Sequence, residues 1–162
     1  MYIKRKLNES LTTFKSLRFG HKTKNENFYR YKAVVGIGGN VGDVRRRFEH
    51  LLVFLQRDKR VNVAQTSLIL KNPPFGFKPQ EDFFNSIMVI HTTMQPRAFL
   101  EFMLRTEKKF ARKRSFANAP RTLDLDIIFF DNRVINTPKL QIPHPHWFQR
   151  ESVVIPLSDI SL

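Results

Sequence analysis

Cysteine is absent from this chain of 162 residues. Disulfides and thiolate metal sites are therefore excluded, and the composition fits a reducing compartment, so we expect a cytoplasmic protein. No apolar run reaches the roughly 18 residues that a membrane-spanning helix needs, so we expect no membrane partner. Acidic residues are few: 14 Asp and Glu stand against 28 Lys and Arg, for a formal net charge of +14. This charge predicts an anionic partner without distinguishing a nucleic acid from a nucleoside triphosphate.

A long apolar segment is also missing from residues 1–32, so we expect no secretory signal there. These residues carry half of the net charge. Their composition faintly resembles an organelle transit peptide, which Glu9 and Glu26 argue against, and the alternative is a basic extension or a short packed appendage. We therefore divide the chain into a basic N-terminal extension, residues 1–32, and one folded domain, residues 33–162.

Apolar periodicity in the folded part predicts four strands and two helices. The first helix is indicated by one apolar face, made of Val44, Phe48, Leu51, Leu52 and Leu55. The second helix begins at Pro96, a residue that suits a first helical turn. The strands are expected at residues 33–38, 61–70, 83–93 and 123–130, followed by a tail with two short apolar segments. The order β-α-β-β-α-β predicts an α+β fold, a ferredoxin-like sandwich with helices packed on an antiparallel sheet.

The sharpest local signal is the segment Pro-Arg-Thr-Leu-Asp-Leu-Asp-Ile at residues 120–127. Side chains alternate across a strand, so Asp124 and Asp126 project from one face. Two carboxylates about 7 Å apart repel each other unless a cation lies between them. Oxygen ligands favour Mg²⁺, which takes one or two carboxylates together with waters and substrate phosphates. The alternative, two solvent-facing aspartates on an exposed sheet, stays open, although the adjacent Arg121 favours a site.

Three weaker signals accompany the acidic pair. His144 lies in a loop between two prolines, which could hold its imidazole against a phosphate, although a lone loop histidine is also an ordinary surface residue. Phe83 and Asn85 could stack on and hydrogen-bond a flat heterocycle, although Phe83 alone is equally well explained as core. A basic loop after the second helix could clamp phosphates or could simply be solvated. Its basic residues are Arg112, Lys113, Arg114 and Arg121.

Taken together, the chain resembles the 6-hydroxymethyl-7,8-dihydropterin pyrophosphokinase family of folate biosynthesis. The resemblance covers roughly residues 33–160 and is carried by residues 36–43, 72–76, 83–85, 120–127 and 142–145, with Arg150. It implies transfer of the β,γ-pyrophosphoryl group of ATP to the hydroxymethyl oxygen of the dihydropterin, with release of AMP. Segment 120–127 is the most specific of these motifs.

The resemblance also implies roles for particular residues. Asp124 and Asp126 would hold two Mg²⁺ ions, with ATP as co-substrate. The catalytic residues would be Arg112, Arg114 and Arg121, of which Arg112 and Arg114 would lie in a mobile loop that closes over the triphosphate. The ATP contacts would come from Glu107, Arg114, Arg121, Ile127, His144 and Arg150. The dihydropterin contacts would come from Asn72, Pro73, Phe75, Phe83 and Asn85.

The chain departs from the family pattern at Ser152, where members often have an aromatic residue that stacks on the pterin. Either the stacking is one-sided here or another ring, Trp147 or Phe148, takes over. Asn72 and Phe75 replace the commoner Thr and Leu. The basic loop is one residue shorter and lacks the tryptophan of some members.

Two other functions are alternatives to the pyrophosphokinase that the resemblance implies. A basic ferredoxin-like nucleic-acid-binding domain would need aromatic residues on the exposed sheet face, where Asp124 and Asp126 would instead repel phosphates. A pseudoenzyme is disfavoured because both aspartates, His144 and the arginines are present, although Ser152 leaves this open. We expect ATP and a dihydropterin as partners, no nucleic acid, and a monomer; contact with other folate-pathway enzymes stays open.

Overall fold

The structure is a computed structural model that describes residues 1–23, 29–113 and 115–162. Its strands are β1 (Ile3–Lys6), β2 (Thr12–Lys15), β3 (His21–Lys22), β4 (Tyr31–Gly39), β5 (Val61–Thr66), β6 (Ile69–Asn72), β7 (Phe83–Thr92), β8 (Asp124–Phe130), β9 (Ile135–Asn136) and β10 (Gln141–Ile142). Its helices are α1 (Val44–Gln56), α2 (Pro96–Lys109) and α3 (Glu151–Ser158), and a 3₁₀ turn spans Trp147–Gln149. No helix in these described ranges is long and apolar enough to cross a bilayer.

The central sheet is antiparallel, with the order β6-β7-β4-β8, and β5 pairs with the other half of β7. β4 lies between β7 and β8 because its run of small and β-branched apolar residues can be buried on both faces. Together with α1 and α2 these strands follow the order β-α-β-β-α-β. The predicted α+β, ferredoxin-like architecture is confirmed.

The two faces of the sheet are covered differently. One face packs against the apolar stripes of α1 and α2, including Phe48, Leu51 and Phe99, and forms the main core. The other face has a smaller cluster around Ile87 and Ile128, against which α3 packs. The predicted tail, residues 133–162, therefore contains a helix that covers part of the second face. Another part of that face lines a cavity.

The prediction of a single strand over residues 61–70 is wrong in one detail. The segment forms two strands, β5 and β6, with Ser67 and Leu68 between them. The Ser67 amide donates to the carbonyl of Ile87 at 2.8 Å, and the Ser67 hydroxyl oxygen accepts from the Ile87 amide at 2.8 Å. The serine side chain thus takes the place of a backbone acceptor, and the chain bends while staying attached to β7.

Residues ahead of the central fold also belong to the sheet. β1 and β2 form a hairpin, β2 pairs with β6, and β3 pairs with β5. β4 begins at Tyr31, so the predicted boundary after residue 32 falls within a strand. Of the interpretations given for the N-terminal segment, a packed appendage agrees with the structure of residues 1–23. The proposed domain boundary after residue 32 stays a prediction.

Candidate active site

The acidic pair lies on the sheet face that α1 and α2 leave free. Leu125 and Ile127 of β8 enter the main core, so the alternating residues Asp124 and Asp126 project to the opposite side. Both aspartates line a cavity of about 490 Å³. The aspartates are therefore partly enclosed, which removes the alternative of a pair on an open, solvated sheet.

The cavity brings together most of the residues predicted from the sequence. Its floor is formed by β4, β7 and β8, and one wall is formed by the start of α3. The predicted residues that line it are Asn72, Pro73, Phe75, Phe83, Asn85, Arg121, Asp124, Asp126 and Arg150. One end is therefore charged, and the other carries amides and aromatic rings.

Two arginines flank the first aspartate. Nη1 of Arg121 donates to Oδ2 of Asp124 at 3.0 Å, and Nη2 of Arg112 lies 3.9 Å from Oδ1 of the same residue. The Arg121 guanidinium also lies 5.3 Å from the centre of the Phe83 ring. Arg121 therefore connects the acidic pair with the aromatic end of the cavity.

The Arg121 segment is positioned by the turn between β4 and α1. The Arg121 amide donates to Oδ1 of Asn40, and the Asn40 amide donates back to the Arg121 carbonyl, both at 2.9 Å. Nη1 of Arg47 donates to the Thr122 carbonyl at 3.0 Å. A Cβ atom at Gly39 would lie 2.5 Å from that carbonyl oxygen. Glycine at position 39 therefore permits this close approach of two backbone segments.

The surroundings of Asp126 disfavour the ionised form of its carboxyl group. Burial raises its pKa to about 7, and the neighbouring carboxylates of Asp124 and Glu107 act in the same direction. Arg150 and Arg121 oppose this shift but do not cancel it. A half-buried carboxylate that resists ionisation is a place where a cation would be stabilised strongly.

Glu107 of α2 contacts the outer edge of β8, between the two aspartates. Its Oε2 accepts a 2.7 Å hydrogen bond from the amide of Leu125, the residue between the two aspartates. The side chain is 2% exposed and does not line the cavity. Since β8 ends the sheet order, this bond satisfies an amide on the outer edge of the strand. The predicted contact between Glu107 and ATP stays a prediction.

His144 lies beside the cavity without lining it. Burial lowers the pKa of His144, and the positive charges of Arg150 and His146 lower it further, while Asp124 opposes them. Nδ1 accepts from the His146 amide at 3.3 Å, which leaves Nε2 to carry the proton of the neutral ring. His144 can therefore act near neutral pH as an uncharged hydrogen-bond donor.

The amide end of the cavity is organised by side-chain hydrogen bonds. Nδ2 of Asn85 donates to Oδ1 of Asn72 at 2.6 Å, and Nδ2 of Asn72 donates to the Pro73 carbonyl at 3.0 Å. The rings of Phe75 and Phe83 line the same end. The arrangement offers amide groups at fixed positions and two aromatic rings to a flat polar molecule.

Ser152 lines the cavity, as its place in the motif suggested, but neither ring expected to compensate for it does. Trp147 packs edge-on against Phe129 at 5.2 Å, beneath α3, and Phe148 contacts Trp147. The second ring of the cavity is that of Phe75, which is 69% exposed. Of the two alternatives left open for Ser152, the one in which Trp147 or Phe148 takes over is therefore not supported by their positions.

Two further predicted residues, Arg112 and Ile127, do not line the cavity. The Ile127 side chain is buried in the main core on the opposite face of β8, because it alternates with the aspartates. Arg114 lies outside the described residues. Sequence reasoning also missed residues that line the cavity, among them Ser10, Lys78, Gln149 and Glu151. They lie outside the motifs and carried no local signal, because they reach the cavity only through packing of distant segments.

The two loops beside the cavity contact each other. Rings of Phe77 and Phe116 meet edge-on with their centres 5.1 Å apart. Nε2 of Gln80 donates to the Asn118 carbonyl at 2.9 Å. The described part of the basic loop is thereby attached to the proline-rich loop that borders the amide end.

Comparisons with known proteins agree on the class, an enzyme that transfers pyrophosphate. The family model for 7,8-dihydro-6-hydroxymethylpterin-pyrophosphokinase matches residues 34–162. The chain is 41% identical over 146 residues to a 2-amino-4-hydroxy-6-hydroxymethyldihydropteridine pyrophosphokinase of Campylobacter jejuni, covering 90% of this chain and 93% of that protein. It is 33% identical to the enzyme of the same name from Helicobacter pylori, covering 78% and 79% of the two chains.

A third relative is the folic acid synthesis protein FOL1 of Dictyostelium discoideum, which is 31% identical over 86% of this chain and 21% of that much longer protein. The chain belongs to the 7,8-dihydro-6-hydroxymethylpterin-pyrophosphokinase family. The resemblance found in the sequence is thereby confirmed.

Proposed function

We propose that this protein transfers the pyrophosphoryl group of ATP to the hydroxymethyl group of 6-hydroxymethyl-7,8-dihydropterin in folate biosynthesis, and that it does so with Mg²⁺ held at Asp124 and Asp126. Membership of the family supports the reaction. The observation that carries the site is the pairing of these carboxylates on one strand face, within a single cavity that also has an amide and aromatic end.

The donor set fits Mg²⁺. Both aspartates offer hard oxygen ligands. Burial, and after it the neighbouring carboxylates of Asp124 and Glu107, raise the pKa of Asp126, and a divalent cation would favour its ionised form. Among the described residues there is no group of three or more His, Cys, Asp or Glu side chains that could hold a metal. Two carboxylates are nevertheless enough for Mg²⁺ when substrate phosphates and waters complete its shell. When bound, the metal would neutralise phosphate charge and orient the triphosphate.

The arginines would hold the phosphates in place. Arg150 lines the cavity on the α3 side, and Arg121 lines it beside the acidic pair. A phosphate oxygen would compete with Asp124 for the Arg121 guanidinium. The hydrogen bond that Nε donates to the Ala119 carbonyl at 3.0 Å would keep the guanidinium oriented. The neutral His144 would add a hydrogen bond without adding charge. Positioned charges of this kind stabilise the transferring group.

The amide end would hold the dihydropterin. Its flat ring system would stack on Phe83, with Phe75 as the second ring, and its polar edge would bond Asn85 and groups around Asn72. Arg121 contacts both Phe83 and Asp124, so the ring and the acidic pair lie on either side of one side chain. This arrangement would bring the hydroxymethyl oxygen towards the phosphates.

The test is an assay of AMP formation with ATP, Mg²⁺ and hydroxymethyl-dihydropterin, compared with the same reaction without the pterin. Asp124→Asn and Asp126→Asn should each lower kcat by roughly 10²-fold or more while far-UV circular dichroism stays unchanged. Asp131→Asn is the matched control, because Asp131 follows the same strand but does not line the cavity. Wild-type turnover in either cavity variant would refute the metal assignment, and pterin-independent AMP release would refute the reaction.

A further inference from the structure

The turn of the N-terminal hairpin (residues 3–15) reaches the amide end of the cavity. β2 pairs with β6 in an antiparallel register that sets Thr12 opposite Lys71. Continuing this register by two residues places Ser10 opposite Pro73, and Ser10 does line the cavity. A residue from the segment with no recognisable motif therefore lies beside the loop expected to contact the heterocycle.

The turn that carries Ser10 is held by its own hydrogen bonds. Oδ1 of Asn8 accepts from the amides of Ser10 and Leu11, each at 2.9 Å, and from the Ser10 hydroxyl at 3.1 Å. The Leu7 amide donates to the Leu11 carbonyl at 2.9 Å, which closes the hairpin. Ser10 is thus presented from an ordered turn, in which one asparagine side chain replaces several backbone partners.

The hairpin is also anchored to the strand that presents the cavity residues. Phe14 is 6% exposed, and its ring centre lies 6.0 Å from that of Phe84. The Arg45 guanidinium of α1 lies 4.3 Å from the centre of the Phe14 ring. Phe84 stands between Phe83 and Asn85 on β7. Displacement of the hairpin would therefore disturb the strand that carries two cavity side chains.

We propose that the N-terminal hairpin is one wall of the dihydropterin site and that Ser10 borders the bound heterocycle, limiting the size of substituent accepted there. This inference rests on the proposed function.

The experiment adds bulk at the proposed wall. Ser10→Phe should raise the KM for hydroxymethyl-dihydropterin roughly tenfold or more, because an overfilled site must repack or exclude its ligand. The KM for ATP and the melting temperature should stay at the wild-type values. Glu9→Phe is the matched control, since Glu9 is exposed in the same turn and does not line the cavity, and it should leave both KM values unchanged. Calorimetric titration of the pterin, with a non-hydrolysable ATP analogue and Mg²⁺ present, should show the same selectivity.

The outcomes separate this inference from the proposed function. If the wild-type protein forms no AMP in response to the pterin, the proposed reaction fails. If the wild type is active and Ser10→Phe leaves the pterin KM unchanged, the wall assignment fails. An equal rise for ATP, a fall in melting temperature, or the same effect from Glu9→Phe would show a general structural role and also overturn it. Should Ser10→Phe not fold, Ser10→Val is judged by the same criteria.

Discussion

Removing the charge of Asp126 should stabilise the metal-free protein while lowering its activity. Burial and the neighbouring carboxylates raise the pKa of Asp126 from 3.8 to about 7. The folded state therefore favours the protonated carboxyl, and stability from this group is lost as the pH rises from the unfolded pKa through the folded one. The amide side chain of the Asp126→Asn variant cannot ionise, so the variant escapes this loss.

The size of the effect follows from linkage. A shift of about three pH units corresponds to about 4 kcal/mol in full, at about 1.4 kcal/mol per unit. About 2–3 kcal/mol of it falls between pH 5 and pH 8, because the rest is already lost below pH 5. We therefore expect the stability advantage of Asp126→Asn over wild type to grow by about 2–3 kcal/mol across that range.

Urea unfolding in EDTA at several pH values would measure this difference directly. Comparing variant with wild type at each pH removes the contributions of all other titrating groups. At pH 8, adding Mg²⁺ and a non-hydrolysable ATP analogue should raise the free energy of unfolding of the wild-type protein. The same addition should leave the Asp126→Asn variant nearly unaffected. Parallel pH profiles for the two proteins in EDTA would refute the reasoning, since they would mean that Asp126 ionises as readily in the folded chain as in the unfolded one.

Two further predictions concern how the cavity is held together. Gly39→Ala places a Cβ 2.5 Å from the Thr122 carbonyl oxygen, so thermal unfolding should show a loss of about 1–3 kcal/mol. Gly36→Ala, with 3.5 Å as its nearest contact, is the control; equal melting temperatures for the two variants would contradict the clash. Phe116→Ala removes the ring that contacts Phe77, and should lower kcat with little change in melting temperature, because the loops lose their mutual contact. Unchanged steady-state kinetics would show that this contact has no part in turnover.

Some features of the site were predictable because they depend on neighbours along the chain. The shared face of Asp124 and Asp126 follows from strand alternation, and alternation also places Ile127 in the core. The helix beginning at Val44 follows from the spacing of its apolar residues, with Asp43 capping it by accepting from the Arg46 amide. These inferences needed no knowledge of which strand lies beside which.

Other features depend on partners that are distant in sequence. The break between β5 and β6 depends on a hydrogen bond between Ser67 and Ile87 on another strand. The N-terminal hairpin has no apolar alternation of its own, so its place in the sheet depends on the free edge of β6. Ser10 consequently has no local feature that marks it as a residue of the cavity.

The family, the β-α-β-β-α-β core and the acidic pair could all be inferred from the amino-acid sequence, because they depend on short motifs or on the period of apolar residues. The electrostatics of that pair and the walls of the cavity could be seen only in the folded protein. The pKa of Asp126 depends on burial together with charges that include Glu107 on α2 and Arg150 before α3, both distant from it along the chain. Such through-space interactions depend on distance in the folded protein, and separation along the chain carries no information about them.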